Sequence, residues 1–114
     1  MPRPNVSQPP SANRLLAALA PKAYTRLRRH LTPVSLALGH VVESPGKPIQ
    51  NVYFPTTAVF SMLCTLEGDV TVEIGMIGNE GTTGVAVCLG LELAPQLTIV
   101  QVAGEALMIP AAKL

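Results

Sequence analysis

The spacing of hydrophobic residues changes near residue 32, from the period of a helix to the period of a strand. Before this point we predict two short helices, one beginning after the N-cap residue Asn13 and one beginning at Pro21. Each has apolar residues on one face: Leu15, Leu16 and Leu19 in the first, and Tyr24, Leu27 and Leu31 in the second. After this point apolar and polar residues alternate, which is typical of half-buried strands.

About eight short strands are predicted in the second part of the chain, with turn residues between them. They cover residues 34–38, 41–42, 51–54, 58–66, 70–77, 85–89, 97–102 and 106–109. In the fifth strand we expect four apolar residues on one face: Val70, Val72, Ile74 and Met76. Gly46 and Gly68 stand where a type II turn and a hairpin turn require positive φ. This pattern predicts an all-β sandwich or barrel preceded by two short α-helices.

The composition fits a single globular domain. Of 114 residues, 48% are hydrophobic and 13% are charged, whereas soluble domains average about 25% charged residues. We therefore expect either strands buried on both faces or an exposed surface that contacts a partner. Charged or turn residues interrupt every apolar stretch before it reaches the roughly 20 residues of a membrane span. We expect a cytoplasmic protein with reduced cysteines and no membrane contact.

Charge is divided unevenly along the chain. Residues 1–31 contain six Lys or Arg and no acid, whereas residues 32–114 contain two Lys and seven acids. Such asymmetry can mark contact with nucleic acid, but six charges in 31 residues do not form a dense basic run. We interpret the basic segment as a solvated helix face. If Arg26, Arg28 and Arg29 touch phosphates, binding should be weak and strongly dependent on salt.

Groups that could carry catalysis are scattered. Cys64 and Cys88 form no CxxC motif, and His30 and His40, which are ten residues apart, do not form a metal-binding motif. The seven carboxylates include no pair that stands out as acid and base. The glycine-rich segment 78–84 is the most suggestive loop, because backbone N–H groups in such loops can bind an anion. It lacks the lysine of a P-loop, and a turn between strands is the simpler interpretation.

Several segments resemble Crp/Fnr-type bacterial transcription regulators. Residues 43–55 (ESPGKPIQNVYFP) are similar to the early β-roll of that family, many of whose members carry a similar E-x-G-x-x-I-x-x-V-Y-F-P run. The segments 77–81, 84–85, 89–90 and 102–107 match further motifs in the same order, and 13–19 resembles the short helix before the roll. The resemblance implies an antiparallel double-stranded β-helix, a jelly roll of the cyclic-nucleotide-binding type.

The sequence also divides the chain into parts. The prolines predict a flexible tail at 1–12, the apolar spacing predicts the two helices at 13–32, and Pro110 predicts the start of a further helix at 111–114. The resemblance implies that the part between them, 33–110, is a β-roll sensory domain. In the family a dimerisation helix and a winged helix-turn-helix that reads DNA follow, and we expect this sequence to stop before both. We therefore expect the sensory part of a regulator, a homodimer, and DNA contact only through a C-terminal domain that this chain lacks.

Family members that bind cyclic nucleotides use a Glu, placed after a Gly, for the ribose hydroxyl and an Arg for the cyclic phosphate. The resemblance assigns the corresponding ligand-binding positions to Gly81, Gly84, Val85, Leu97 and Thr98, so that both charged residues are replaced. No Lys or Arg lies between Lys47 and Lys113, and burying a phosphate without a cation is unfavourable. We expect a degenerate cassette, no appreciable cyclic AMP binding and no cofactor; the sequence does not identify a small-molecule effector.

Three functions are compared at this point. The first is a non-enzymatic, effector-sensing module of a Crp/Fnr-like regulator. The second is a stand-alone interaction or dimerisation module that pairs exposed apolar strands with a partner. The third is a cupin-like metal-dependent enzyme, which is disfavoured because His30 falls outside the predicted roll and leaves only His40. An iron–sulfur cluster or a haem is equally unsupported. A small apolar ligand in the roll stays open, as does no ligand at all.

Overall fold

The computed structural model describes residues 12–114, in which three short helices and seven strands are formed. The helices are α1 (Arg14–Ala17), α2 (Pro21–Arg28) and α3 (Val85–Cys88). The strands are β1 (Thr32–Leu36), β2 (Val41–Glu43), β3 (Asn51–Pro55), β4 (Val59–Leu66), β5 (Val70–Ile77), β6 (Leu97–Val102) and β7 (Gly104–Pro110). Single 3₁₀ turns follow β4 and β7 at Glu67–Asp69 and Ala111–Lys113. All but the last residue of the predicted tail at 1–12 lies outside the described residues.

The strands form two antiparallel sheets. One has the order β1-β7-β3 and the other the order β2-β6-β4-β5. Neighbouring strands within a sheet are mostly distant in sequence, as in a rolled-up jelly roll. The predicted fold class, a mainly β, antiparallel roll preceded by two short α-helices, is confirmed. Within residues 12–114, no helix is long and apolar enough to cross a membrane.

Strand β3 contributes side chains to two separate cores. Tyr53 packs between the two sheets, whereas Val52 and Phe54 point to the opposite face of their sheet. The core between the sheets contains Val34, Leu36, Tyr53, Ala58, Phe60, Ile77, Val100 and Ala106. The second core contains Leu16, Val52, Phe54, Leu107 and Ile109, with Leu19, Leu27 and Leu31 of the helical segment packed against it. Burial on both faces of β3 accounts for part of the low charge content, as the composition predicts.

Helix α1 is attached to the sheets through the fully buried Asn13. Its Oδ1 accepts a hydrogen bond of 3.0 Å from the backbone N–H of Leu16, which confirms the predicted N-cap. Its Nδ2 donates to the carbonyl oxygens of Pro55, at 2.7 Å, and Gly81, at 3.0 Å. One side chain therefore joins the first helix, the end of β3 and the glycine-rich loop.

The predicted strand at 85–89 is wrong, because Val85–Cys88 form the single helical turn α3. Gly84 precedes this turn with a φ of +70°, and its carbonyl oxygen accepts a hydrogen bond of 3.0 Å from Val87 N–H. A short run of apolar residues fits a strand or a helix equally well by its pattern. The left-handed conformation of Gly84 decides the matter here, since it turns the chain out of the extended direction.

Strand β5 contains one residue more than the part of β4 it pairs with. Ile74 forms a β-bulge opposite the step from Met62 to Leu63. Since an inserted residue reverses the alternation of side chains, Met76 lies on the opposite face from Val70 and Val72. The expectation that the four apolar residues of this strand share a face is therefore wrong.

The hairpin formed by β4 and β5 exposes a set of apolar side chains that we call the apolar hairpin surface. Its turn is the predicted one, with Gly68 at a φ of +79°. Strand β5 is an edge strand of its sheet, and most of its residues are exposed. The surface consists of Leu66, Val70, Val72 and Ile74, which are between 39% and 57% exposed.

Candidate functional site

A cleft of about 540 Å³ opens beside the glycine-rich loop and α3. Most of its wall is apolar and includes Met62, Met76, Ile77, Val85 and Leu89. The polar side chains that line it are Glu43, Glu80, Thr82, Thr83 and Gln96. Within the described part of the chain, its lining includes two carboxylates and no Lys or Arg. The cleft is therefore an apolar site with negative charge.

The glycine-rich loop is held against β3 by backbone and threonine hydrogen bonds. The buried Thr83 side chain accepts a hydrogen bond of 2.9 Å from Tyr53 N–H, and Thr83 N–H donates to the Tyr53 carbonyl at 3.0 Å. The Thr82 hydroxyl donates to the same carbonyl at 3.1 Å. Because this wall is tied to a strand buried in both cores, it is formed in advance of any ligand.

Gly84 allows α3 to approach β3 closely. A Cβ atom at this position would lie 2.6 Å from Cγ2 of Val52. Its φ of +70° is also a conformation that other residues rarely adopt. Both constraints require glycine, and together they place the start of α3 at the edge of the cleft.

Glu43 ends strand β2 at the wall of the cleft, where it is only 6% exposed. It pairs in register with Thr98 of β6, and the Thr98 hydroxyl donates to Glu43 Oε1 at 3.0 Å. The other carboxylate oxygen, Oε2, is buried and has no hydrogen-bond partner of good geometry among the described residues. Buried polar atoms rarely lack a hydrogen-bond partner, so the Glu43 carboxylate is the unusual group of the site.

The environment of Glu43 raises the pKa of its carboxyl. Burial raises the pKa of this carboxyl above its ordinary value of 4.5. The hydrogen bond from Thr98 and the nearby backbone N–H of Gly84 lower the pKa, but they offset only part of the effect of burial. Ionisation of this carboxyl is therefore less favourable than in water, although Thr98 donates a hydrogen bond to it and Gly84 N–H lies nearby.

The five predicted site residues fall into two groups in the fold. Gly81, Gly84 and Val85 line the cleft. Leu97 and Thr98 lie on β6 and are not part of its lining; Thr98 is fully buried, and its hydroxyl serves Glu43.

Sequence reasoning missed two polar residues of the cleft, Glu43 and Gln96. Gln96 directly precedes the position to which the resemblance assigns the phosphate-binding Arg. Glu43 opens the segment that carries the resemblance and follows two valines. The available signal was an acidic residue directly after two apolar residues of a strand. The sequence pattern alone does not show that the side chain of this residue points into the protein. Among residues 12–114, no group of three His, Cys, Asp or Glu could hold a metal ion.

No protein-family model and no curated protein matches the sequence. Solved structures do share its fold. The N-terminal domain of a transcriptional regulator from Streptomyces coelicolor A3(2) is 20% identical with a TM-score of 0.73, over 90% of this chain and 71% of that one. The catabolite activator protein of Thermus thermophilus is 15% identical with a TM-score of 0.71, over 87% of this chain and 46% of that one.

A third similar structure comes from a protein kinase. It is the regulatory subunit of a cAMP-independent protein kinase A from Trypanosoma brucei, a triple mutant bound to cAMP, with 10% identity and a TM-score of 0.76. It is matched over 89% of this chain and 37% of its own length, so this chain spans less than half of that subunit and of the Thermus protein. The chain therefore has the fold of the cyclic-nucleotide-binding domains of Crp-type transcription regulators, which the sequence resemblance implied.

Proposed function

We propose that this chain is the effector-sensing, non-enzymatic module of a Crp/Fnr-like transcription regulator and that it does not bind cyclic AMP. The shared fold supports a regulatory role, since the similar proteins are regulators. One observation carries the second part: the carboxylate of Glu43 accepts the hydrogen bond of the Thr98 hydroxyl, which stands at the Ser/Thr position of the cassette. In a complete regulator, an effector would act by shifting the population between two arrangements of the domains.

A cyclic phosphate would meet three obstacles in this cleft. The Thr98 hydroxyl, at the Ser/Thr position that the resemblance assigns to the cassette, already donates to Glu43 Oε1. The backbone N–H of Gly84 also lies against this carboxyl. No cation lines the described cleft, and two like charges about 4 Å apart repel by about 4 kcal/mol at an effective dielectric constant near 20. The internal carboxylate thus takes the place that an external anion would need.

Regulation without cyclic AMP has a precedent in this fold, because one similar structure belongs to a kinase described as cAMP-independent. We therefore treat the loss of the charged cassette residues as compatible with a working sensor. An effector of different chemistry would use the same cleft.

Titration of the full chain with cyclic AMP by calorimetry tests the proposal. We expect no binding up to millimolar nucleotide, and micromolar affinity would overturn the proposal. The double variant Glu43→Gln with Gln96→Arg removes the internal anion and adds a cation at the cleft, so it should gain measurable affinity. The matched control Glu80→Gln with Gln96→Arg makes the same change in net charge but keeps Glu43. An equal gain in affinity for cyclic AMP in both double variants would contradict the role proposed for Glu43.

We propose DNA contact only through a further domain of a longer regulator. The longest helix among the described residues, α2, has eight residues and carries the exposed Arg26 and Arg28. It packs near the second core, where Leu27 is partly buried. A mobility shift with the chain alone should therefore show at most weak binding that salt abolishes.

The apolar hairpin surface favours a second role, the formation of a homodimer. Four apolar side chains on one hairpin, next to the edge that β5 forms in the described sheet, form the kind of surface that pairs with another chain. This role is compatible with the first, since a sensor can also dimerise. The molar mass in solution tests it.

A further inference from the structure

We propose that the cleft binds a small molecule with an apolar body and one positive charge, and that the exposed carboxylate of Glu80 pairs with this charge. The inference rests on the proposed function, because it names the chemical class of the effector that the same cleft would take. It is based on the apolar walls, the accessible position of Glu80 and the sign of the charges in the lining.

The walls of the cleft fit an apolar body. Its volume of about 540 Å³ lies within the range of about 300–1,000 Å³ found for small-molecule sites. Met62 and Met76 line it from β4 and β5, and methionine side chains adapt to ligands of different shape. Leu89, directly after α3, also lines the cleft and is 74% exposed. A ligand that covers Leu89 would remove apolar area from water, which stabilises the complex.

Glu80 provides a charged group that a ligand can reach. Its side chain is exposed and also lines the cleft. Gly78 N–H donates a hydrogen bond of 3.2 Å to Glu80 Oε1, and the same loop is fixed to β3 through Thr83. An ionised carboxylate accepts several hydrogen bonds on its two oxygens, so the bond from Gly78 leaves capacity for an ammonium group. The carboxylate therefore has a defined place at the cleft and stays available to a ligand.

The charges of the lining favour a cation over an anion. Glu43 and Glu80 both line the cleft, and no Lys or Arg does so among the described residues. Glu43 is buried and does not have to touch the ligand, since its charge, when ionised, acts across several ångströms. A carboxylate or phosphate on the ligand would be repelled by both side chains, whereas an ammonium group would be attracted by both. A neutral ligand would gain only from the apolar walls.

Three probes with the same aromatic body separate these cases: naphthylmethylamine, naphthylmethanol and naphthylacetate. Each is titrated into the full chain near pH 7, with the backbone amide NMR shifts of Gly81 and Val85 as the readout. We expect the amine to bind about threefold more tightly than the alcohol, since one exposed ion pair changes affinity by up to about fivefold. Naphthylacetate should bind about tenfold more weakly than the amine, because the same interaction changes sign. About 0.5 M salt should reduce both differences by screening.

Glu80→Gln tests the ion pair directly. The variant should bind the amine about threefold more weakly than the wild-type chain does, with little change for the alcohol. Glu67→Gln is the matched control, because it makes the same change in net charge at an exposed residue of the β4–β5 turn that does not line the cleft. It should keep the amine preference of the wild-type chain. Melting curves of both variants check that they fold.

Leu89→Ser tests the apolar contact. It should weaken binding of all three probes by a similar factor and leave their order unchanged, since the apolar body is common to them. Leu38→Ser is the matched control, because Leu38 is 71% exposed and does not line the cleft. It should bind the probes as the wild-type chain does.

The wild-type chain alone can overturn the proposal. Equal affinity for amine and alcohol at low salt, tighter binding of naphthylacetate than of the amine, or no shift of Gly81 and Val85 with any probe would each contradict it. So would a loss of the amine preference in Glu67→Gln as large as in Glu80→Gln. Failure of the amine with no cyclic AMP binding would leave the proposed function standing, whereas binding of cyclic AMP would overturn that function itself.

Discussion

At the scale of single residues, Glu43 links the stability of the roll to its site. Its carboxyl has a raised pKa because burial outweighs the two donors that face it. The folded chain therefore holds this proton more tightly than the unfolded chain does. Stability must then fall as pH rises from the ordinary value of 4.5 through the folded-state pKa, since ionisation is less favourable in the fold.

Glu43→Gln should remove this component of the pH dependence. We expect the stability of the variant, relative to the wild-type chain, to increase as pH rises, reaching a gain of the order of 1 kcal/mol at neutral pH because a buried, incompletely paired charge is lost. Urea unfolding from about pH 4 to pH 8 measures the difference. Glu80→Gln, at an exposed position, should change stability by less than about 0.5 kcal/mol. A difference between Glu43→Gln and wild type that does not vary with pH would contradict the assignment.

Gly84 provides a second prediction for a single residue. Alanine here would suffer the left-handed conformation and a contact of 2.6 Å with Val52. We expect Gly84→Ala to lower the free energy of unfolding by about 2–4 kcal/mol, as the sum of backbone strain and overpacking. Chemical denaturation gives the value.

Gly90 is the natural control for this substitution. It also has a positive φ, of +84°, but a Cβ atom there would meet no atom within 4 Å. Gly90→Ala should therefore cost only the backbone component, about 1–2 kcal/mol. Equal losses at the two positions would show that the close approach of α3 to β3 contributes nothing.

At the scale of elements, the N-terminal helices depend on Asn13. Asn13→Ala removes the cap of α1 and both bonds to the roll, so we expect a loss of about 2–4 kcal/mol. Asn13→Asp keeps the acceptor for Leu16 N–H but cannot donate to Pro55 or Gly81, and it should be no more stable than the alanine variant at neutral pH.

Thermal and urea unfolding measure both variants. Arg14→Ala, at the exposed next position, serves as the control and should stay within about 0.5 kcal/mol of the wild-type chain. An aspartate variant close to wild type would mean that the two long-range donations carry little energy.

Most elements could be predicted from sequence because strand burial alternates. The strands at 70–77 and 97–102 were predicted with the bounds that the structure has, and the other five strands that form differ from their predicted bounds by one or two residues at an end. Prediction from the sequence failed where the spacing of apolar residues does not distinguish one backbone conformation from another. Residues 85–88 are all apolar or small, so their pattern fits a helical turn as well as a strand. Ile74 continues the alternation of apolar residues in the sequence, although it forms a β-bulge in the structure.

The candidate site could be predicted only in part. The glycines of the loop could be recognised from the sequence, because a positive φ and a close approach of the backbone to another element both require glycine. Glu43 could not be identified in this way, since seven carboxylates are spread over the sequence. Its burial results from the pairing of β2 with β6, two strands that are more than 50 residues apart in sequence.

At the scale of the whole molecule, the uneven exposure of apolar residues predicts association. We expect the chain to have twice its mass of 12.0 kDa in solution, because burying the apolar hairpin surface removes apolar area from water. Ile74→Lys should shift it to the monomer. Light scattering after size exclusion measures the mass.

Leu38→Lys is the matched control for this surface. Leu38 is 71% exposed and lies in the turn after β1, away from the hairpin in sequence. It should leave the dimer intact. A monomeric wild-type chain, or equal effects of the two lysines, would contradict dimerisation through the hairpin.

The side chain of Asn13 also has a consequence for the order in which the molecule assembles. Its two partners on the roll are 42 and 68 residues further along the chain, so α1 cannot dock until β3 and the glycine-rich loop have come together. Contacts that form after the rate-limiting step of folding affect mainly the unfolding rate. Asn13→Ala should therefore accelerate unfolding while leaving the refolding rate nearly unchanged. On the ribosome, α1 would be synthesised before the roll and would be among the last elements to reach its native position.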